Sequence, residues 1–244
     1  MECNTFSIVA HCARTGQLGV AVSTAVPAVG SMCPFAKARV GAVSTQSWVN
    51  PYLALGALDL MQTGASAQQA LERVLAQDDA RDFRQVGIVD AGGNAAAWTG
   101  TQCTVWAGQI VGKHFGVQGN MLTGAGTIEA MAKAFEASAG IDLCERLMLA
   151  MEAGQAAGGD KRGKQSASLK VCDTEDYPLL DLRVDEHTYP VAELRRVYTI
   201  AKLQLLPFVQ GMPKKGEPAR PAPDEVQRIL ALSPPHRPGG GGSK

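Results

Sequence analysis

The chain has 244 residues, 45% of them hydrophobic and 19% charged, which is enough to bury a proper core in one domain or two small ones. Lys+Arg and Asp+Glu both number 23, so the net charge is zero, and the footprint of a nucleic-acid or anionic-membrane binder is missing. No apolar run approaches the roughly 20 residues of a membrane span, and the first residues lack a basic-then-apolar export pattern, so a cytoplasmic protein is expected.

In chain order, residues 6–10 and 18–23 read as two strands joined by the turn signal Arg14-Thr15-Gly16-Gln17, a hairpin. A third strand is predicted through residues 40–46. Asn50-Pro51 then opens a helix, Asn50 as cap and Pro51 at the first helical position, ending near Gly64. Ser66 to Gln69 is a capping box that starts a second helix towards Ala76. Residues 85–90 and 94–99 flank Ala91-Gly92-Gly93 as a second hairpin, and another strand pattern covers 114–120. Helices are predicted over 127–138 and from Asp142 to about Gln155, strands over 166–171 and 180–184, and a last helix from Pro190. Eight of the 13 prolines follow Leu206, so a domain of residues 1–206 and a tail of 207–244 are expected. Asp224 caps a short amphipathic helix near 224–232, and the closing Gly239–Lys244 run reads as flexible linker.

The order is three strands, two helices, three strands, two helices, two strands and a helix. Hairpin-joined strands argue for antiparallel sheets, and helices arriving in pairs argue against βαβ units. Several strands are small or apolar throughout, as strands covered on both faces are. The expectation is an α+β fold, a four-layer αββα sandwich of two stacked antiparallel sheets.

Few motifs carry chemistry. The six cysteines, Cys3, Cys12, Cys33, Cys103, Cys144 and Cys172, show no C-x-x-C and no histidine at ligand spacing, so reduced thiols and no metal site are expected. Gly158 to Gln165 nearly spells a phosphate-binding loop, but Gln165 replaces the Mg²⁺-binding hydroxyl, and a helix precedes the loop instead of a strand. Gly124-Ala125-Gly126 lacks a dinucleotide fingerprint's third glycine and reads as a tight turn. His11, His114, His187 and His236 are dispersed and read as surface or hydrogen-bonded residues. Thr5 is the more specific feature. It heads the first strand behind Met1-Glu2-Cys3-Asn4, and a threonine at a chain terminus can use its own α-amine as base. As a β-branched residue it is equally at home as an ordinary strand position.

Residues 5–10, 16–22, 40–51, 84–90, 117–122, 152–167 and 181–185 carry a family likeness. The chain resembles the bacterial domain-of-unknown-function 1028 family, grouped with the N-terminal-nucleophile (Ntn) hydrolases, over about residues 5–198. The resemblance implies the same αββα sandwich and matches Thr5 to the family's nucleophile. The departure lies upstream: Glu2 disfavours ordinary removal of Met1, and residues 1–4 would block the α-amine. Either Asn4–Thr5 is cleaved, or translation starts elsewhere, or the protein is not a working Ntn hydrolase. Gln118 and Asn120, on a glycine-broken strand, are candidates to present amide donors to an oxyanion, with Asn120 in the catalytic set beside Thr5. Gln46 and Asn50 are candidates to grip a substrate amide, Arg162 a substrate carboxylate and Asp160 an amine or ureido group. Each has a local alternative: Asn50 as helix cap, Asp160 as turn former, Arg162 as structural ion pair. Lys37 stands at the nucleophile-to-lysine interval of proteasome-like subunits.

The expectation is a hydrolase of small non-peptide amide or ureido C–N bonds, working without a cofactor on a small molecule. Neither nucleic acid nor membrane is an expected partner, and a homodimer or higher homo-oligomer is. The alternatives are a silent ligand-binding protein on the same scaffold and an assembly protein acting through its tail.

Overall fold

The structure, a computed structural model, describes residues 5–104 and 106–243. Among these, six strands form one antiparallel sheet: β1 (Thr5–His11), β2 (Leu18–Thr24), β7 (Trp106–Gly112), β8 (Phe115–Leu122), β9 (Ser166–Cys172) and β10 (Leu180–Val184), in the order β10-β9-β2-β1-β8-β7. The second sheet is β3 (Pro34–Lys37), β4 (Gly41–Ser47), β5 (Arg84–Asp90) and β6 (Ala95–Thr99), also antiparallel and in sequential order. The sheets stack face to face, β1 and β2 over β4, and β8 over β5.

Helices cover both outer faces. Helices α1 (Pro51–Gln62) and α2 (Ala67–Ala76) pack on the four-stranded sheet. Helices α3 (Gly126–Ala137), α4 (Leu143–Ala156) and α5 (Pro190–Gln210) pack on the six-stranded sheet, and α6 (Asp224–Ala231) rests on α5. The fold is a four-layer αββα sandwich of class α+β.

Period-two alternation assigns each strand two faces. On β1, Phe6, Ile8, Ala10 and the following Cys12 enter the core beneath α3 and α4, while Val9 joins Leu18, Val20, Ala42 and Val89 between the sheets. All seven residues of β1 are buried, as a strand covered on both sides requires. Gly19 is set by close approach: a Cβ there would lie 2.7 Å from Leu147 Cδ1 of α4. The helix starts follow local chemistry. Asn50 Oδ1 accepts from Tyr52 N–H at 3.1 Å, and Ser66 and Gln69 form a reciprocal capping box.

Two strands escape the sequence pattern, β3 and β7. Both are sheet edges. β3 opens on Pro34, which an edge tolerates, and β7 is half-exposed with glycines at 108 and 112. Neither carries the buried apolar run that marks a central strand. The body is therefore four strands, two helices, four strands, two helices, two strands and a helix. That last helix, α5, continues across Pro207 to Gln210. Among the described residues, no helix is long and apolar enough to cross a membrane.

Candidate active site

Between the sheets, the composition changes along the strands. At the His11 end of β1 the layer is Val, Leu and Ala. Towards Thr5 it becomes hydroxyls and amides: Thr5, Ser7, Thr24, Ser44, Gln46, Gln85, Gln118 and Asn120, all buried. Buried polar groups persist only when bonded to one another, and here they are. Thr5 sits between Thr24 of β2 and Asn120 of β8 in the cross-strand register. Its Oγ1 donates to Thr24 Oγ1 at 3.2 Å, and its carbonyl accepts from Gln46 Nε2 at 3.1 Å.

Gln85 is the hub. Its Oε1 accepts from Gln46 Nε2 at 2.8 Å and from Asn120 Nδ2 at 2.9 Å. Its Nε2 faces three oxygens, Thr99 Oγ1 at 2.8 Å, Gly119 O at 2.9 Å and Gly108 O at 3.2 Å. Two backbone carbonyls can only accept, so they fix which end of the amide is nitrogen. Gln46 Oε1 in turn accepts from Ser7 Oγ at 2.7 Å. Two acceptors stay open: Asn120 Oδ1 and Gln118 Oε1 are buried without a partner. A buried unpaired acceptor costs about 1–3 kcal/mol and calls for an explanation. Beside Asn120, Met121 takes a left-handed backbone at φ 51°, a conformation a long side chain adopts at a cost.

The turn of residues 158–165 closes over the same end. Lys161 N–H donates to Met121 O at 3.2 Å, and Gln165 N–H donates to Thr24 O at 2.8 Å. Asp160 accepts from Ala25 N–H at 3.1 Å and from Arg162 N–H at 2.8 Å, and its side chain is 1% exposed. Arg162 lies 3.4 Å from that carboxylate with 37% of its side chain exposed, a cation at the rim.

The structure thus gathers Thr5, Gln46, Gln118 and Asn120 into one layer and sets Asp160 and Arg162 beside it. Gln118 Nε2 donates to Ser44 O at 3.1 Å, and Asn120 Nδ2 donates to Gln85 Oε1 at 2.9 Å, one of two N–H groups in each case. The amide oxygen of each is an unpartnered acceptor. Gln46 is bonded at both ends inside the protein and holds Thr5 in place. Asn50 stands apart. It caps α1, and its Nδ2 donates to Asp78 Oδ2 at 3.0 Å. Lys37, on the edge strand β3, is exposed and donates to Gln62 Oε1 at 2.6 Å. The question of whether residues 1–4 mask Thr5 lies outside the described residues. The hub Gln85 was not singled out from the sequence, nor were Ser7, Ser44 and Thr24. The available signal was an amide at the same end of three apolar strands, Gln46, Gln85 and Gln118. Among the described residues there is no cluster of three or more metal-ligating side chains.

Asn50 belongs to a buried charge pair. Arg84 Nε meets Asp78 Oδ2 at 2.8 Å, the two side chains 10% and 9% exposed, and Arg84 also donates to Trp48 O at 2.7 Å. Burial pushes the Asp78 carboxyl up. The bonds from Arg84, Asn50 and Ala80 N–H outweigh that and hold it below its ordinary 3.8. Asp78→Ala strands the guanidinium and is expected to cost about 3 kcal/mol in urea unfolding at neutral pH. A depressed carboxyl stabilises fully above its unfolded value. The contribution fades as pH falls through the folded value, so the gap between wild type and variant narrows below pH 3.8.

A family model described as "Family of unknown function (DUF1028)" matches residues 5–194. The chain belongs to the DUF1028 family. The crystal structure of a DUF1028 protein from Silicibacter pomeroyi superposes with a TM-score of 0.80 at 28% identity, covering 86% of this chain and 92% of that one. The Anbu ancestral β-subunit of Yersinia bercovieri gives a TM-score of 0.37 at 10% identity, over 87% of this chain and all of that one, too distant to carry an argument. No curated protein shows significant similarity to the chain. The DUF1028 match begins at Thr5, a member of the buried polar layer.

Proposed function

We propose that this DUF1028 protein is an Ntn-type amidohydrolase that cleaves a small non-peptide amide or ureido C–N bond through Thr5, without a cofactor. The observation that carries the reading is the position of Thr5. It heads a central strand of an αββα sandwich, inside a polar layer, at the first residue of the family match. In the proposed step the α-amine of a terminal Thr5 takes the hydroxyl proton while Oγ1 attacks the substrate carbonyl carbon. The C–N bond breaks and the amine leaves with that proton. Water then hydrolyses the acyl-threonine ester, releasing the acid and restoring the hydroxyl.

The open atoms support a division of labour. Asn120 Oδ1, on Thr5's cross-strand partner, has the polarity to accept an N–H from the α-ammonium. Gln46 and Gln85 hold the strand ends in register. The half-exposed guanidinium of Arg162 suits a substrate carboxylate, and Asp160 anchors the turn that carries it.

A silent ligand-binding protein on the same scaffold draws on one observation, the complete burial of Thr5. Intact mass and N-terminal sequencing of the purified protein separate the two. The hydrolase reading expects a chain that begins at Thr5. A chain that keeps Met1 to Asn4 and turns over no amide gives the scaffold reading.

A further inference from the structure

A second site lies at the other end of β1. The seven residues of β1 place His11 about 20 Å from Thr5. There a pocket of about 370 Å³ opens between the β7–β8 hairpin and helices α3 and α4. That volume is within the range of small-molecule sites.

Its charge is one-sided. Arg14, Lys113 and Arg146 line it, and Glu136 is the one carboxylate that does. The chain as a whole has no net charge, so this concentration is local. Arg146 is the central group. Its guanidinium lies 3.7 Å from the centre of the Phe135 ring, and one terminal nitrogen donates to Phe135 O at 3.0 Å. Its Nε is buried with no partner, and among the described residues no carboxylate pairs with it. A half-buried guanidinium is normally met by a carboxylate. Here the counter-charge is missing and a pocket stands in front of it.

The other cations are available. Lys113 is exposed and bonds no carboxylate among the described residues. Arg14 pairs with Asp142 at 3.3 Å, but the side chains are 57% and 84% exposed, and such a pair holds weakly. His114 reaches the pocket on a strained backbone, φ 68°, and its Nδ1 lies 3.3 Å from His11 Nδ1. Which ring donates across that gap follows from the tautomers. Ile141 is exposed and supplies an apolar wall, with the buried Phe115 and Phe135 behind the pocket.

We propose that this pocket binds a small organic anion, its carboxylate or phosphate held by Arg146, Lys113 and Arg14 and its apolar part against Ile141. The site is independent of Thr5 and of any activity there. The test is calorimetric titration of the full chain with benzoate, phenyl phosphate and inorganic phosphate. Benzoate or phenyl phosphate is expected to bind at one site in the millimolar range or tighter, and to shift the imidazole NMR signals of His11 and His114. Lys113→Met removes an exposed charge and leaves the packing alone, so it reports on binding even if Arg146→Met unfolds the chain. Each variant is expected to weaken binding about tenfold, the worth of one charge-assisted contact. Binding of benzoate alone assigns a carboxylate ligand, and binding of phenyl phosphate alone a phosphate ester. No binding of either, or affinity unchanged in Lys113→Met and in a folded Arg146→Met, overturns the proposal. Inorganic phosphate binding as tightly as phenyl phosphate overturns the organic part of the assignment.

Discussion

Thr5→Ala, made in a chain that begins at residue 5, is expected to lower kcat/KM for a small amide by about 10⁴-fold or more. In Thr5→Ala the α-amine stays as base, but the nucleophilic oxygen it would activate is gone. Loss of the hydroxyl therefore removes the covalent route. Thr5→Ser is the matched control. It keeps Oγ and its bond towards Thr24, and it is expected to retain most of the rate. Because Thr5 is buried between Thr24 and Asn120, Thr5→Val serves as the isosteric variant that separates lost chemistry from lost packing. A screen of small amides and ureides for ammonia or amine release supplies the assay. Equal turnover by Thr5→Ala and the parent would remove Thr5 from the mechanism.

Gln85→Leu is expected to destabilise the fold by on the order of 5 kcal/mol. Five polar partners meet at this one side chain, Gln46 and Asn120 donating to its oxygen and Thr99, Gly108 and Gly119 facing its two N–H groups. Leucine has a similar volume, so the loss is not a cavity. It removes the acceptor of Asn120 Nδ2, one acceptor of Gln46 Nε2 and the donor facing the buried Gly119 carbonyl. Urea unfolding followed by circular dichroism measures it. A cost under about 1 kcal/mol would mean that the layer relaxes to new partners. Under the proposed mechanism, the same change frees Asn120 to turn, and turnover is expected to fall even where the fold survives.

The central strands, the helix starts and the αββα order were legible in the sequence because they rest on local rules. Asn50-Pro51 and the Ser66–Gln69 box set helix starts through bonds within four residues. Buried strands such as β1 and β5 advertise themselves as apolar runs. The edge strands β3 and β7 do not, because half of each faces solvent and no burial pattern is imposed on it. Thr5, Gln46, Gln118 and Asn120 were also identifiable, as polar residues on or at the ends of apolar strands.

Whether such residues meet is a matter of register and sheet stacking, which no local rule contains. Antiparallel pairing places Asn120 opposite Thr5, and the second sheet brings Gln46 and Gln85 onto them from residues 41 and 80 positions along the chain. The same stacking turns Asn50 away towards Asp78. It also joins His11 to His114, dispersed in sequence and adjacent only because β1 and β8 are neighbours. The layers, the strand faces and the threonine at the head of β1 follow from local patterns in the chain. Which polar atoms satisfy one another and which are left open follows from sheet stacking, because hydrogen-bond partnership depends on distances across two sheets.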